Sequence, residues 1–221
     1  MVNIPTNIPF EEWVRYVFDH PVVKPEWYWG GDADSLDLDQ AKLILYITQL
    51  FSRSAEVLSA FSDAQVDQGF WLLVGAPSEL QILGEATLPI TDRVCCIDSI
   101  LVLFRDCFAR RCTNHLSHID KPGVGPLNSS CYMWWDIIPL HGDPEDASRR
   151  QIDDACLTVM QKTLEIPSVA CQESALHGLG HWACSYGERC SQIIATFLQR
   201  HPDLGSELRD YATKASRGDI L

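Results

Sequence analysis

Histidine and cysteine carry the most suggestive chemistry in this chain. His177 and His181 are four residues apart, and Cys184 follows three later. On a helix this spacing puts the side chains on one face. Upstream, Cys112, His115 and His118 recur at three-residue steps. If the two groups met in space, they would offer the nitrogen and sulfur donors that a tetrahedral zinc ion takes. Common zinc signatures are nevertheless missing, since the chain has neither a CxxC pair nor HExxH. The simpler reading is that His177 and His181 hydrogen-bond backbone or carboxylates at a helix-packing face. On that reading the chain has no metal, no cofactor and no catalytic residue. Zinc held by His177, His181, Cys184, Cys112, His115 and His118 is the alternative.

Two aromatic groups are candidate binding surfaces. Trp27, Tyr28 and Trp29 precede Gly30-Gly31 in a loop-like stretch, and Trp134 and Trp135 precede Asp136. Aromatic side chains anchor protein interfaces but are equally good core material. The Trp27–Trp29 group, with Gly, Asp and Pro around it, is the better interface candidate. Asp32, Asp34 and Asp37 do not make a calcium loop. Counting from Asp32, the places that need Gly and Glu hold Asp37 and Leu43. The chain also lacks GxSxG and GxxxxGK[ST], and Gly123-Val-Gly125 opens no dinucleotide fingerprint. Cys95-Cys96 lies in an apolar helix, where burial makes a thiol inert.

The elements that would position these residues read as helices throughout. Phe10 to His20 is a first helix. Asp37 and Gln40 form a capping box for a long helix whose face runs Ile44, Ile47, Phe51, Ala55, Leu58 and Phe61. Ser62 or Asp63 opens the next, to Gly75. Leu80 to Gly84 is either a helical turn or a brief strand. A nearly all-round apolar helix begins at Thr91-Asp92 and carries Val94, Ile97, Leu101, Phe104 and Phe108, the signature of a central element. The C-terminal third gives Ile152 to Leu164, then a helix capped by Ser168, then Ile193 to Leu198, then Leu204 to Ala215 with Gly218 as a stop. No comparable strand alternation occurs. The expected class is all-α, with stacked antiparallel helix pairs in a solenoid or an irregular bundle. It is read as a single helical domain over 1–221, with lobes 1–120 and 127–221 if the 121–126 loop divides it.

Thirty Asp and Glu against 17 Lys and Arg give a formal net charge of −13. Nucleic-acid binding draws most of its affinity from basic patches, so nucleic acid is excluded and a basic protein partner suits the charge better. The most apolar stretch, Val94 to Phe104, is too short to span a bilayer. The start has no secretory pattern, and nine cysteines, an odd number, fit reduced thiols in the cytoplasm.

Ser174-Ala-Leu-His-Gly-Leu-Gly-His181, Ile193-Ile-Ala-Thr-Phe-Leu198 and Leu208-Arg-Asp-Tyr-Ala-Thr-Lys-Ala215 resemble the helix pairs of HEAT-like α-helical repeat proteins of bacteria. The resemblance is carried mainly by residues 153–221. It implies an architecture and a binding surface rather than a reaction. The expected function is accordingly a non-enzymatic helical scaffold that binds another protein, of inhibitor or immunity type, through an acidic face. The alternative is a zinc-dependent hydrolase or small-ligand-binding helical protein built on the His/Cys cluster.

Overall fold

The computed structural model describes residues 8–29, 38–75, 79–119 and 122–220, and among these every regular element is helical. The chain runs through α1 (Phe10–Phe18), α2 (Gln40–Ser52), α3 (Ser54–Val57), α4 (Asp63–Val74) and α5 (Ile90–Leu103). It continues through α6 (Ala109–Arg111), α7 (Asn128–Ile137), α8 (Arg150–Thr163), α9 (Val169–Arg200) and α10 (Ser206–Ala215). Short 3-10 turns lie at Trp27–Trp29, Glu79–Leu83 and Ala147–Arg149. The ambiguous segment around Leu80 is thus a helical turn, with Leu80, Ile82 and Leu83 buried.

Local chemistry explains most boundaries. The Ser62 side chain accepts from the Gln65 amide and Gln65 returns a bond to the Ser62 amide, a complete capping box. Ser168 accepts from the Cys171 amide to start α9. The cap of α2 is Asp39, which accepts from the Lys42 amide; Asp32, Asp34 and Asp37 lie outside the described residues. The long helix expected from Ile44 to Phe61 breaks at Arg53, whose backbone (φ −119°, ψ 24°) separates α2 from α3. Arg111 fills the corner that follows. Its guanidinium donates to Asp63 at 2.7 Å and to the carbonyls of Leu58 and Phe61 at 2.9 and 2.7 Å.

The largest departure from expectation is α9. The Ser168-capped helix and the Ile193–Leu198 helix form one run, Val169–Arg200, bent at Tyr186 where the backbone leaves helical values (φ −126°, ψ 41°). Its first half is buried almost all round, from Ala170 to Gly180. Small residues there let neighbours approach closely. A Cβ on Gly178 would stand 2.6 Å from Trp135 Cβ on α7 and 2.8 Å from Met160 Sδ on α8, and one on Gly180 would stand 2.5 Å from Ile220 Cδ1.

Helix α9 packs against α7, α8 and α10, and α5 packs against α2 and α8. The helices before and after the 121–126 loop share an aromatic centre. Phe51, Phe70, Phe104 and Phe108 surround Trp134 at ring separations of 5.5–6.3 Å, and Phe104 stacks on Trp135. Trp134 and Trp135 are fully buried. They are core, and within the Trp134–Asp136 group only Asp136 reaches the outside.

Candidate metal site on helix α9

The i, i+4 spacing does put His177 and His181 on one face of α9, before the bend. Their Nε2 atoms are 3.2 Å apart. Asp136, at the C-terminal end of α7, brings Oδ1 to 3.5 Å from His181 Nε2. The three ligand atoms lie within 4.8 Å of one another. The approach of α7 to α9 that makes this possible is the Trp135–Gly178 contact, one residue before Asp136 and one after His177.

The site grades from buried to open. His177 is 1% exposed, whereas the side chains of His181 and Asp136 are 37% and 38% exposed. Burial first, then the charge of His181, pushes the His177 imidazole down to about 4, so its ring is neutral near pH 7. Behind it, His177 Nδ1 is 2.8 Å from the Tyr211 hydroxyl on α10. Tyr211 Oη is 3.3 Å from Tyr132 Oη on α7. Burial raises both phenols, Tyr211 the further, so both keep their protons. A consistent assignment has His177 donating from Nδ1 to Tyr211, which donates to Tyr132. His177 Nε2 then presents its lone pair toward His181 and Asp136.

A second carboxylate backs this network from below. Glu173, wholly buried one turn before His177 on α9, accepts from the Ser117 and His118 amides at 2.7 and 3.0 Å. The same carboxylate meets His118 Nδ1 at 2.6 Å. The His118 ring in turn stacks on Tyr211 at 4.2 Å. His118, Tyr132, Tyr211, Lys214, Asp219 and Ile220 line an open cleft of about 330 Å³.

The six-residue His/Cys set is divided in space. His177 and His181 meet Asp136, while His118 stands one ring away behind Tyr211. Cys184 is exposed and turns its thiol to the His181 carbonyl at 3.1 Å. Cys112 donates to the Leu127 carbonyl at 3.6 Å. His115 sits in a separate cleft with Asn114, Leu116, Val169 and Leu204. The third donor is thus the carboxylate of Asp136 rather than a thiolate, and oxygen in place of sulfur makes a harder site.

No family model matches this chain, and neither the curated proteins nor the solved structures yield a match.

The Trp27–Trp29 group is a different kind of surface. Trp27 stacks on His20 with ring centroids 3.6 Å apart. Burial pushes the Tyr28 phenol up to about 12. Trp29 is 63% exposed, and the nearby Val22 and Val23 are 55% and 47% exposed. The residues missing from the sequence reading are Glu173, Tyr132 and Lys214, together with the polar role of Tyr211. Glu173 left one usable trace. It is the single acid on a face otherwise made of Ala170, Cys171, Ser174 and His177, and an acid on a buried face needs partners.

Proposed function

We propose that this protein binds one divalent transition-metal ion, zinc fitting best, through Asp136, His177 and His181. The observation that carries the reading is the donor spacing. With zinc–nitrogen bonds of 2.0–2.1 Å, ligands at the corners of a tetrahedron stand about 3.3 Å apart. The histidine nitrogens are 3.2 Å apart and the His181–Asp136 pair 3.5 Å, while all three donor atoms lie within 4.8 Å, so two edges fit as they stand and the exposed Asp136 side chain has to close the third, toward His177. Two imidazoles and one carboxylate also leave a coordination position open. That is the pattern of sites whose metal activates a bound water, in contrast to closed four-ligand structural sites. Hydrolysis is the reaction class this arrangement suits.

The test is calorimetric titration of zinc into protein purified without a histidine tag, with Asp136→Ala and His181→Ala alongside. One equivalent bound by the parent, and a loss of at least tenfold in affinity in each variant, is expected from three-ligand binding. Sub-stoichiometric zinc in the parent, or an affinity unchanged from the parent in either variant, sinks the proposal.

A second reading has its own support. Val22, Val23 and Trp29 form an exposed apolar stretch on a chain of net charge −13, which favours a protein-binding scaffold with a basic partner. This scaffold reading predicts that partner capture at low salt depends on those residues. Capture unchanged in Val23→Asp and Trp29→Ala would end it.

A further inference from the structure

A metal-binding histidine needs its second ring nitrogen held, because that bond fixes which nitrogen carries the proton and where the ring points. For His177 the partner is not a carboxylate or a backbone carbonyl but the Tyr211 hydroxyl, at 2.8 Å. Tyr211 comes from α10, outside the α7–α9 pair that supplies the three donors. It is itself fixed on two sides. Tyr132 takes its hydroxyl at 3.3 Å, and the His118 ring covers its face at 4.2 Å. The buried Glu173 carboxylate holds His118 in place at 2.6 Å. Each contact converges on one phenol, and that phenol also forms a wall of the 330 Å³ cleft.

We propose that Tyr211 is the positioning residue of the Asp136/His177/His181 centre, setting its metal affinity through His177 Nδ1 and joining the centre to the cleft. The inference rests on the metal reading. Removing the hydroxyl leaves His177 Nδ1 without its partner, so the ring is free to rotate or to change tautomer. Groups in this position contribute 10–100-fold to metal affinity. Tyr132 lays its ring against His177 at 4.3 Å, a contact that Phe keeps, and its hydroxyl meets the Tyr211 hydroxyl at 3.3 Å, so removing that hydroxyl costs less.

The experiment compares zinc affinity in the parent, Tyr211→Phe and Tyr132→Phe, together with melting of each metal-free protein and the visible spectrum of each cobalt(II)-loaded form. The expected result is a 10–100-fold loss in Tyr211→Phe, a smaller loss in Tyr132→Phe, and an altered cobalt spectrum in Tyr211→Phe, with metal-free melting little changed. Phe keeps the ring that stacks on His118. A parent that binds zinc and a Tyr211→Phe variant that binds it equally well, with the same cobalt spectrum, overturn this inference and leave the metal reading standing. A parent that binds no zinc overturns both. Should Tyr211→Phe fail to fold, nitrogen-15 NMR of the zinc-loaded parent decides. A proton on His177 Nδ1 with Nε2 on the metal supports the assignment, and metal on Nδ1 refutes it.

Discussion

Gly178→Ala tests the helix crossing on which the whole site depends. A Cβ at this position would lie 2.6 Å from both Cβ and Cγ of Trp135 and 2.8 Å from Met160 Sδ. Carbon atoms rest at about 3.5–4.0 Å, so the gap must widen by roughly 1 Å. Trp135 cannot supply this by a rotamer change, because its offending atoms adjoin the backbone and its ring is stacked on Phe104. Overpacking of this kind costs about 1–3 kcal/mol, and the rigidity of the neighbour points to the upper end. Ala gains about 1 kcal/mol over Gly as a helix former, which leaves a net loss of about 2 kcal/mol. For a chain of this size that lowers Tm by about 4–8 °C. Gly187, also in α9, is the control, since a Cβ there meets nothing within 4 Å. Gly187→Ala should be neutral or stabilising by up to about 1 kcal/mol. Urea and thermal unfolding of both variants read the difference. Because Asp136 and His177 flank the wedge, zinc affinity should fall in Gly178→Ala and not in Gly187→Ala. If the two variants unfold alike and bind zinc alike, the close α7–α9 approach is wrong, and the donor geometry built on it goes too.

Further outcomes follow from other parts of the fold. Burial holds the Asp67 carboxyl above its ordinary value, although it accepts from the Ser130 amide at 3.1 Å. A group raised in the folded state lowers stability as pH climbs from its unfolded to its folded value. Asp67→Asn keeps the acceptor and removes that cost, so its stability relative to the parent should improve from about pH 3 to pH 7 in chemical denaturation; a flat or reversed difference contradicts the burial argument. Of the nine cysteines, Cys95 and Cys184 are exposed, and burial pushes the thiols of Cys96 and Cys107 up to about 12. A thiol reagent near neutral pH should therefore titrate Cys95 and Cys184 quickly, the half-buried Cys112 more slowly and the six buried thiols only after denaturant; rapid modification of Cys96 or Cys107 in the native protein, located by peptide mapping, would contradict the packing. Ser62→Ala removes the side-chain half of the α4 capping box, the acceptor of the Gln65 amide, and keeps the backbone donor to Gln65; it should cost about 1 kcal/mol in urea unfolding, whereas a neutral result would mean that the Ser62 hydroxyl does not hold the α4 start.

Much of the fold was legible because it follows helical periodicity. The faces of α1, α4, α8 and α10, the Ser62 and Ser168 caps and the small residues of α9 all lie where their spacing and chemistry put them. What sequence could not show is continuity. Ala183 and Ile193 read as separate helices because Tyr186-Gly187 interrupts the apolar pattern, yet the backbone bends there without stopping. The Arg53 break was hidden for the opposite reason, since Ala55 and Leu58 keep the spacing of α2 while the chain turns between them. The same division holds for the site. His177 and His181 share a face by local rule, and Asp136 was singled out beside Trp134-Trp135 for an unrelated reason. That these three meet depends on Trp135 lying against Gly178, a contact between residues 43 apart in the sequence. Pairing of the thiols with the histidines failed for the same cause: spacing fixes a face, and only packing selects what it faces.

The Glu173 carboxylate also orders events in folding. Ser117 and His118 lie between α6 and α7, outside any helix. Their amides are satisfied by a side chain more than fifty residues further on. Closing so long a loop costs entropy that is recovered only once the distant partner is in place. The stretch therefore settles late, after α9 has docked on α7. Its two amides become reporters of that docking, exchanging with solvent until α9 arrives and protected from then on, so pulse-labelling during refolding would time the assembly of the metal-site helices without any metal being added.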